Sequence, residues 1–339
     1  MVLVLLALVA ACAVQPWSGF PTAVRPELTW PGPPLPARVG FVAEIRGHRD
    51  LFEEGGGLRT IGRWLSGPAD SGVIRPYAVA LHGAGGLLVT DPGRCIVHFF
   101  DGPRRRYVAL GAELEGGLPS PVGVAALPDG RILVSDSRLG RVLIFDRDGA
   151  PQGTFAGPPA LTRPAGLAVH PARGEVLIAD VAAHQVRVFD LAGRPLREFG
   201  GRGDAPGQFN FPTHIAVGAD GRTAVCDSMN FRVQVFAPDG APLRTIGELG
   251  DAPGQFAKPK GVALDREGRL IVVEGLHDAV QFFSAEGELL LSIGRPGQAP
   301  GEFWLPAGVA YDPATDLLFV ADSYNARVQV FRMLGGAGE

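Results

Sequence analysis

Apolar residues along most of the chain come in short runs, "GVAAL", "ILVSD" and "RVLIFD" among them, closed by "PDG", "RDG" or "ADG". Runs of this length bounded by Asp-Gly turns predict antiparallel hairpins, and helical periodicity is nearly absent. The pattern also repeats. "CDSMNFRVQVF" (Cys226–Phe236) and "ADSYNARVQVF" (Ala321–Phe331) agree at eight of eleven positions, 95 residues apart. Aligned on this pair, the chain divides into units of a proline, an apolar strand, a turn, a second strand ending in an acid, a short loop and a third strand. The proline falls at 76, 121, 164, 212, 259 and 306, and the acid at Asp91, Asp136, Asp180, Asp227, Glu274 and Asp322. Six copies at a period of 43 to 48 residues predict an all-β, six-bladed β-propeller, in which each blade buries its faces against its neighbours.

The unit resembles the NHL repeat, whose pattern of proline, apolar strand, Asp-Gly turn and "V-x-D-S-x-N-x-R-V-x-V-F" is met almost fully at Val225–Phe236 and Val320–Phe331. The middle copies depart from it, with Gln185 and Ala279 in place of the arginine and Glu274 in place of the aspartate. The sixth copy ends after its third strand, at "VQVFRML", whereas earlier ones continue into a fourth such as "PLRTIG". "ARVGFVAEIRG", Ala37–Gly47, has the same alternation and final glycine. It is expected to pair into the last blade and close the ring, which removes two open sheet edges. The propeller then spans residues 39–334, with 335–339 as a tail and 48–75 as a loop or short helix against the first blade.

The amino end follows another rule. "MVLVLLALVAAC" is too short an apolar run to span a bilayer and has the length of a signal-peptide core. Its last residues, Val9, Ala10, Ala11 and Cys12, resemble a bacterial lipobox, so residues 1–12 are expected to be a signal peptide with Cys12 lipidated. No basic residue precedes the run, and a simple cleaved secretory signal is the alternative. Ala13 after the cysteine implies, by resemblance to enterobacterial sorting, the periplasmic side of the outer membrane. Seven prolines between Ala13 and Arg38 predict an extended polyproline tether over 13–38.

Composition narrows the partners. With 31 basic against 35 acidic residues and a pI near 6.0, the chain has no global positive field for nucleic acid, and its only expected membrane contact is the lipid anchor. With Cys12 lipidated, Cys95 and Cys226 remain, in opposite blades, too far apart for a disulfide.

Residues after each proline and loops after each acid should converge on one face, the expected site. The six residues after the prolines are Tyr77, Val122, Ala165, Thr213, Lys260 and Ala307. Peptidyl-hydroxyglycine amidating lyases share this repeat and place zinc-binding histidines there; calcium-dependent lactonase propellers need carboxylates and amides at the channel mouth. This row has neither. His184, His214 and His277 lie near the same face, the first and last in loops, and strand alternation points His214 away from the row. No metal or cofactor is expected. The recurring Asp and Arg five apart, as in Asp136 and Arg141, Asp227 and Arg232, or Asp322 and Arg327, read as turn pins, because a site needs its residues once and a blade turn needs them every time. Phe209, Phe256 and Phe303 recur and read as blade packing.

What does not recur is Arg94, Arg138, His184, Asn230, His277 and Tyr324 in the loops, Tyr77 and Lys260 at the channel mouth, and Trp304 and Phe211 beside them. With His214, these make the candidate ligand face. The expectation is a monomeric, non-catalytic, membrane-tethered propeller of the bacterial envelope that binds a protein or peptide partner or an envelope ligand. The alternative is a metal-dependent lyase or hydrolase related to the amidating lyases.

Overall fold

A computed structural model describes residues 19–52, 72–155 and 160–335. Five four-stranded antiparallel sheets occupy 79–110, 121–154, 164–200, 212–246 and 259–293. A sixth joins strands Val309–Asp312, Leu317–Asp322 and Arg327–Met333 to the amino-terminal strands Val39–Ile45 and Thr29–Trp30. Each inner strand packs beside those of the blades before and after it, and the sixth packs beside the first, so the ring closes. Asp-Gly turns set the hairpins, as at Asp129-Gly130, where the glycine takes a φ of 91° that costs a side chain strain.

The core is six seams. One cluster of buried apolar side chains lies at each blade-to-blade interface, and the central strands supplying them, such as Gly86–Asp91 and Leu317–Asp322, are buried along their whole length. Phe209, Phe256 and Phe303 are fully buried at successive seams, as their recurrence predicts.

Ring closure follows the expected strand. Val39 lies opposite Met333 and Ile45 opposite Val328, antiparallel, with one bulge between Phe41 and Ala43. Arg46 adds a bond to the Asn325 carbonyl at 2.9 Å, and Ser323 of the last blade donates to the Pro76 carbonyl of the first at 2.6 Å.

The tether expected over 13–38 needs correction. From Gly19 onward the stretch is part of the sixth blade: Thr29 pairs with Gly40 and Trp30 with Val39. Phe20 is buried 5.0 Å from Phe319, and Trp30 sits 5.9 Å from Phe331 at the seam with blade five. Prolines forbid a regular ladder here, but the apolar residues between them still gain by covering the blade's outer edge. Residues 1–18, with Cys12, lie outside the described residues. After the closing strand, a short helix, Arg49–Phe52, buries Phe52 against blade one, as expected of a helix there; 53–71 lie outside the described residues.

Candidate functional site

The acid at the end of each second strand is fully buried and takes backbone amides of the loop that enters its own blade. Asp91 accepts from Ile74 N at 2.7 Å and Arg75 N at 3.1 Å, Asp180 from Thr162 N and Arg163 N at 2.8 Å each, and Asp322 from Trp304 N at 2.8 Å. Burial alone would raise the Asp91 carboxyl, but His98 and these amides outweigh it and hold it below the usual range. Two expected Asp–Arg pins form, Asp227–Arg232 and Asp322–Arg327, both at 2.8 Å. The third does not: Arg141 is exposed, and Asp136 takes the amides of Ser120, Arg138 and Leu139 instead. These pins fix the entry loops, and with them everything at the channel mouth.

At the mouth, Tyr77 of blade one reaches the opposite blade, its ring 5.4 Å from that of His214, while Lys260 Nζ lies 5.3 Å from the Tyr77 ring centre. Alternation along blade four would have turned His214 aside. The bulge between Pro212 and Ile215 breaks the alternation: Thr213 pairs with Ser228 at 2.6 Å, and the His214 imidazole meets Tyr77. The equivalent residue elsewhere is Gly123, Gly166, Gly261, Gly308 or Ala78. At Gly123, Gly261 and Gly308 a Cβ would come within 2.5 Å of the next blade's backbone. His214 is thus the one large side chain at a position where the ring otherwise holds glycine or alanine.

The His214 ring is buried, and neither of its nitrogens has a hydrogen-bond partner. Burial and the charge of Lys260 push its pKa down to about 3, so it is neutral. Burial, then the like charges of Lys258 and Arg75, against an opposing pull from Glu274, bring Lys260 down to about 8. Burial raises the Tyr77 phenol. The Cys226 thiol is pushed well up by burial and by Glu274 and Asp227, which makes it an inert core residue. Cys95 and Cys226 are both free thiols.

The other expected face residues divide. Trp304 and Tyr324 are exposed with ring centres 5.7 Å apart, and Arg75 lies 5.4 Å from the Tyr324 ring. Arg138 is exposed, Arg94 donates to the Gly72 carbonyl, and His277 lies 3.3 Å from Asp251. Asn230 is a turn residue instead: its amide donates to Asp227 at 2.8 Å and to the Gly203 carbonyl at 2.9 Å. His184 is also structural. It occupies the left-handed position before the third strand, where other blades have Cys95, Gly140, Phe231, Asp278 and Ala326, and its Nδ1 accepts the Phe211 amide as Asp278 accepts that of Leu305. Lys258, Arg75 and Arg163 were missed; each lies directly before a repeat proline, a row as regular as the one after it.

Among the described residues no group of three or more His, Cys, Asp or Glu side chains is arranged to hold a metal ion. No curated protein matches the chain in sequence. Solved structures match in fold. A catalytically inactive virginiamycin B lyase from Staphylococcus aureus, crystallised with quinupristin, is 14% identical over 77% of this chain and 95% of its own, with a TM-score of 0.55. A gluconolactonase from Xanthomonas campestris is 18% identical over 77% and 87%, at 0.60. A protein of unknown function from Bacteroides thetaiotaomicron is 15% identical over 87% and 75%, also at 0.60. The model of the NHL repeat matches residues 118–145, 161–189 and 303–331, in blades two, three and six. The chain is a six-bladed β-propeller with NHL repeats in its second, third and sixth blades.

Proposed function

We propose that this propeller is a non-catalytic scaffold that takes a protein or peptide partner on its channel-mouth face. One observation carries the reading. Ile74, Leu139, Phe211, Met229, Leu276, Trp304 and Tyr324 are 37–53% exposed, and all lie in the entry loops or the loops after the second strands. Large apolar side chains gathered in one ring around polar groups mark an interaction surface, whereas single exposed leucines do not. Peptides selected on the immobilised protein should lose at least tenfold in affinity on Trp304→Ala combined with Leu276→Ala. Unchanged affinity would place the binding surface elsewhere.

The same reading includes anchoring. Cys12 as the lipidated residue would hold this face on the periplasmic side of a bacterial outer membrane, and its support is the apolar run with its small residues. Exported in a bacterium, the protein should partition into detergent and lose that behaviour on Cys12→Ala; wild-type protein soluble in the periplasm would refute the anchor.

A metal-dependent lyase or hydrolase is the second reading, favoured by the convergence of Tyr77, His214 and Lys260 at the channel. Stoichiometric zinc or calcium, lost together with an activity on His214→Ala, would put it first.

A further inference from the structure

Charge at the mouth is one-sided. Of the 31 basic residues of the chain, only Lys258 and Lys260 are lysines, and both are here. Lys260 lies over the Tyr77 ring, Arg75 and Lys258 act on Lys260 electrostatically and Arg163 on Tyr77, so four cations gather near this contact. Among the described residues none of the four is in an ion pair, although arginines elsewhere in the ring commonly are, as at Glu175–Arg197 and Asp227–Arg232. Glu274 pulls against them at Lys260, but among the described residues no acid forms an ion pair with any of the four. Asp91, Asp180, Asp227 and Glu274 are fully buried, with their oxygens on entry-loop amides or arginine. Beneath the cations lies His214, buried and without a partner for either nitrogen. A buried imidazole N–H without a partner is costly, so His214 leaves an unmet donor beside Tyr77, the ring over which Lys260 lies.

We infer that the channel mouth is an anion seat and that its occupant is an acidic peptide segment, one carboxylate resting at Lys260 and apolar neighbours lying on Phe211, Leu276 and Trp304. The inference rests on the proposed peptide-binding face and names the chemistry that face selects. A carboxylate there meets ammonium and guanidinium groups that are in no ion pair among the described residues, and the apolar rim limits water around it. A nucleic acid fits less well. Its backbone needs a cationic strip to follow, whereas these cations converge on one point, and the net charge of −4 opposes a polyanion.

The two lysines make the seat its own reporter, because reductive ¹³C-methylation labels Lys258, Lys260 and the terminal amine alone. The probes are a synthetic peptide with an Asp-Glu pair flanked by Phe and Leu, its Asn-Gln counterpart, and an oligothymidylate of similar length. The acidic peptide should shift the lysine methyl signals saturably and bind at least tenfold tighter than the Asn-Gln peptide. That preference should vanish in Lys258→Gln with Arg75→Gln, both exposed residues whose replacement should not lower the melting temperature. Equal binding of both peptides, each weakened by Trp304→Ala, would remove the anion seat and leave the binding face standing. Tighter binding of oligothymidylate would replace the peptide with nucleic acid, and no binding by either peptide would overturn seat and face together.

Discussion

Lys260 shows what a single side chain must accept to stand at the centre of a ring. Its charge faces Lys258 and Arg75, with Glu274 beneath and Tyr77 and His214 beside it, and its pKa sits at about 8 instead of 10.5. A lysine whose folded pKa is depressed binds its proton less readily in the folded than in the unfolded chain. Stability therefore rises with pH between about 8 and 10.5, and the penalty is fully present below 8. Lys260→Met should stabilise the protein by about 1 kcal/mol at pH 7, discounted for the side chain's partial exposure, and should flatten that slope. Melting curves from pH 7 to 10.5 check this, and a slope surviving in the variant would assign it to another group. Tyr77 and Lys260 were legible in the sequence because they break a repeat. The direction of His214 was not, since a one-residue bulge reverses alternation and leaves no mark in composition. His184 and Asn230 looked like ligand-face residues for the opposite reason: their letters are unusual for their positions, but their roles as αL turn residue and carboxylate clamp recur in the ring.

At the scale of an element, the strand order was legible almost completely, because hairpins of fixed length between Asp-Gly turns leave little freedom and a missing fourth strand must be supplied from elsewhere. The proline-rich stretch was not. Proline density predicts that a segment makes no ladder of its own, which holds for nearly all of residues 19–38, but it does not predict whether side chains between the prolines dock. Phe20, Leu28 and Trp30 do. Compared with a chain starting at Gly19, removal of residues 19–36 should lower the melting temperature by about 5–10 °C, from loss of two buried or half-buried aromatic contacts. Removal through Arg46 exposes the edge of Arg327–Met333 and the Phe41 seam, so that protein should aggregate or lose its cooperative transition. Equal melting of the first two proteins would show that the proline-rich stretch contributes nothing to the blade.

For the whole molecule, closure joins the two ends of the chain within one sheet and also latches the last blade to the first. The sheet contribution is the pairing of Val39–Ile45 with Arg327–Met333, where the Leu334 amide already donates to the Arg38 carbonyl at 2.7 Å. The latch is the seam of Phe319, Val328 and Val330 against Leu87, Val89 and Phe100, with Ser323 on Pro76. A circular permutant separates the two. Joining residue 334 to residue 38 by a short glycine turn and opening the chain between 53 and 71 makes blade six a continuous hairpin sheet like the other five, and leaves the seam to blade one without a covalent link. The six seams are alike in kind, and covalent continuity acts mainly through chain entropy, which changes only slowly with loop length. The permutant should therefore melt in one transition, within about 3 °C of the protein lacking residues 19–36, whose packing loss it shares. Two separate transitions, or a melt lower by ten degrees or more, would show that the ring depends on chain connection between its last and first blades and not on the seam alone.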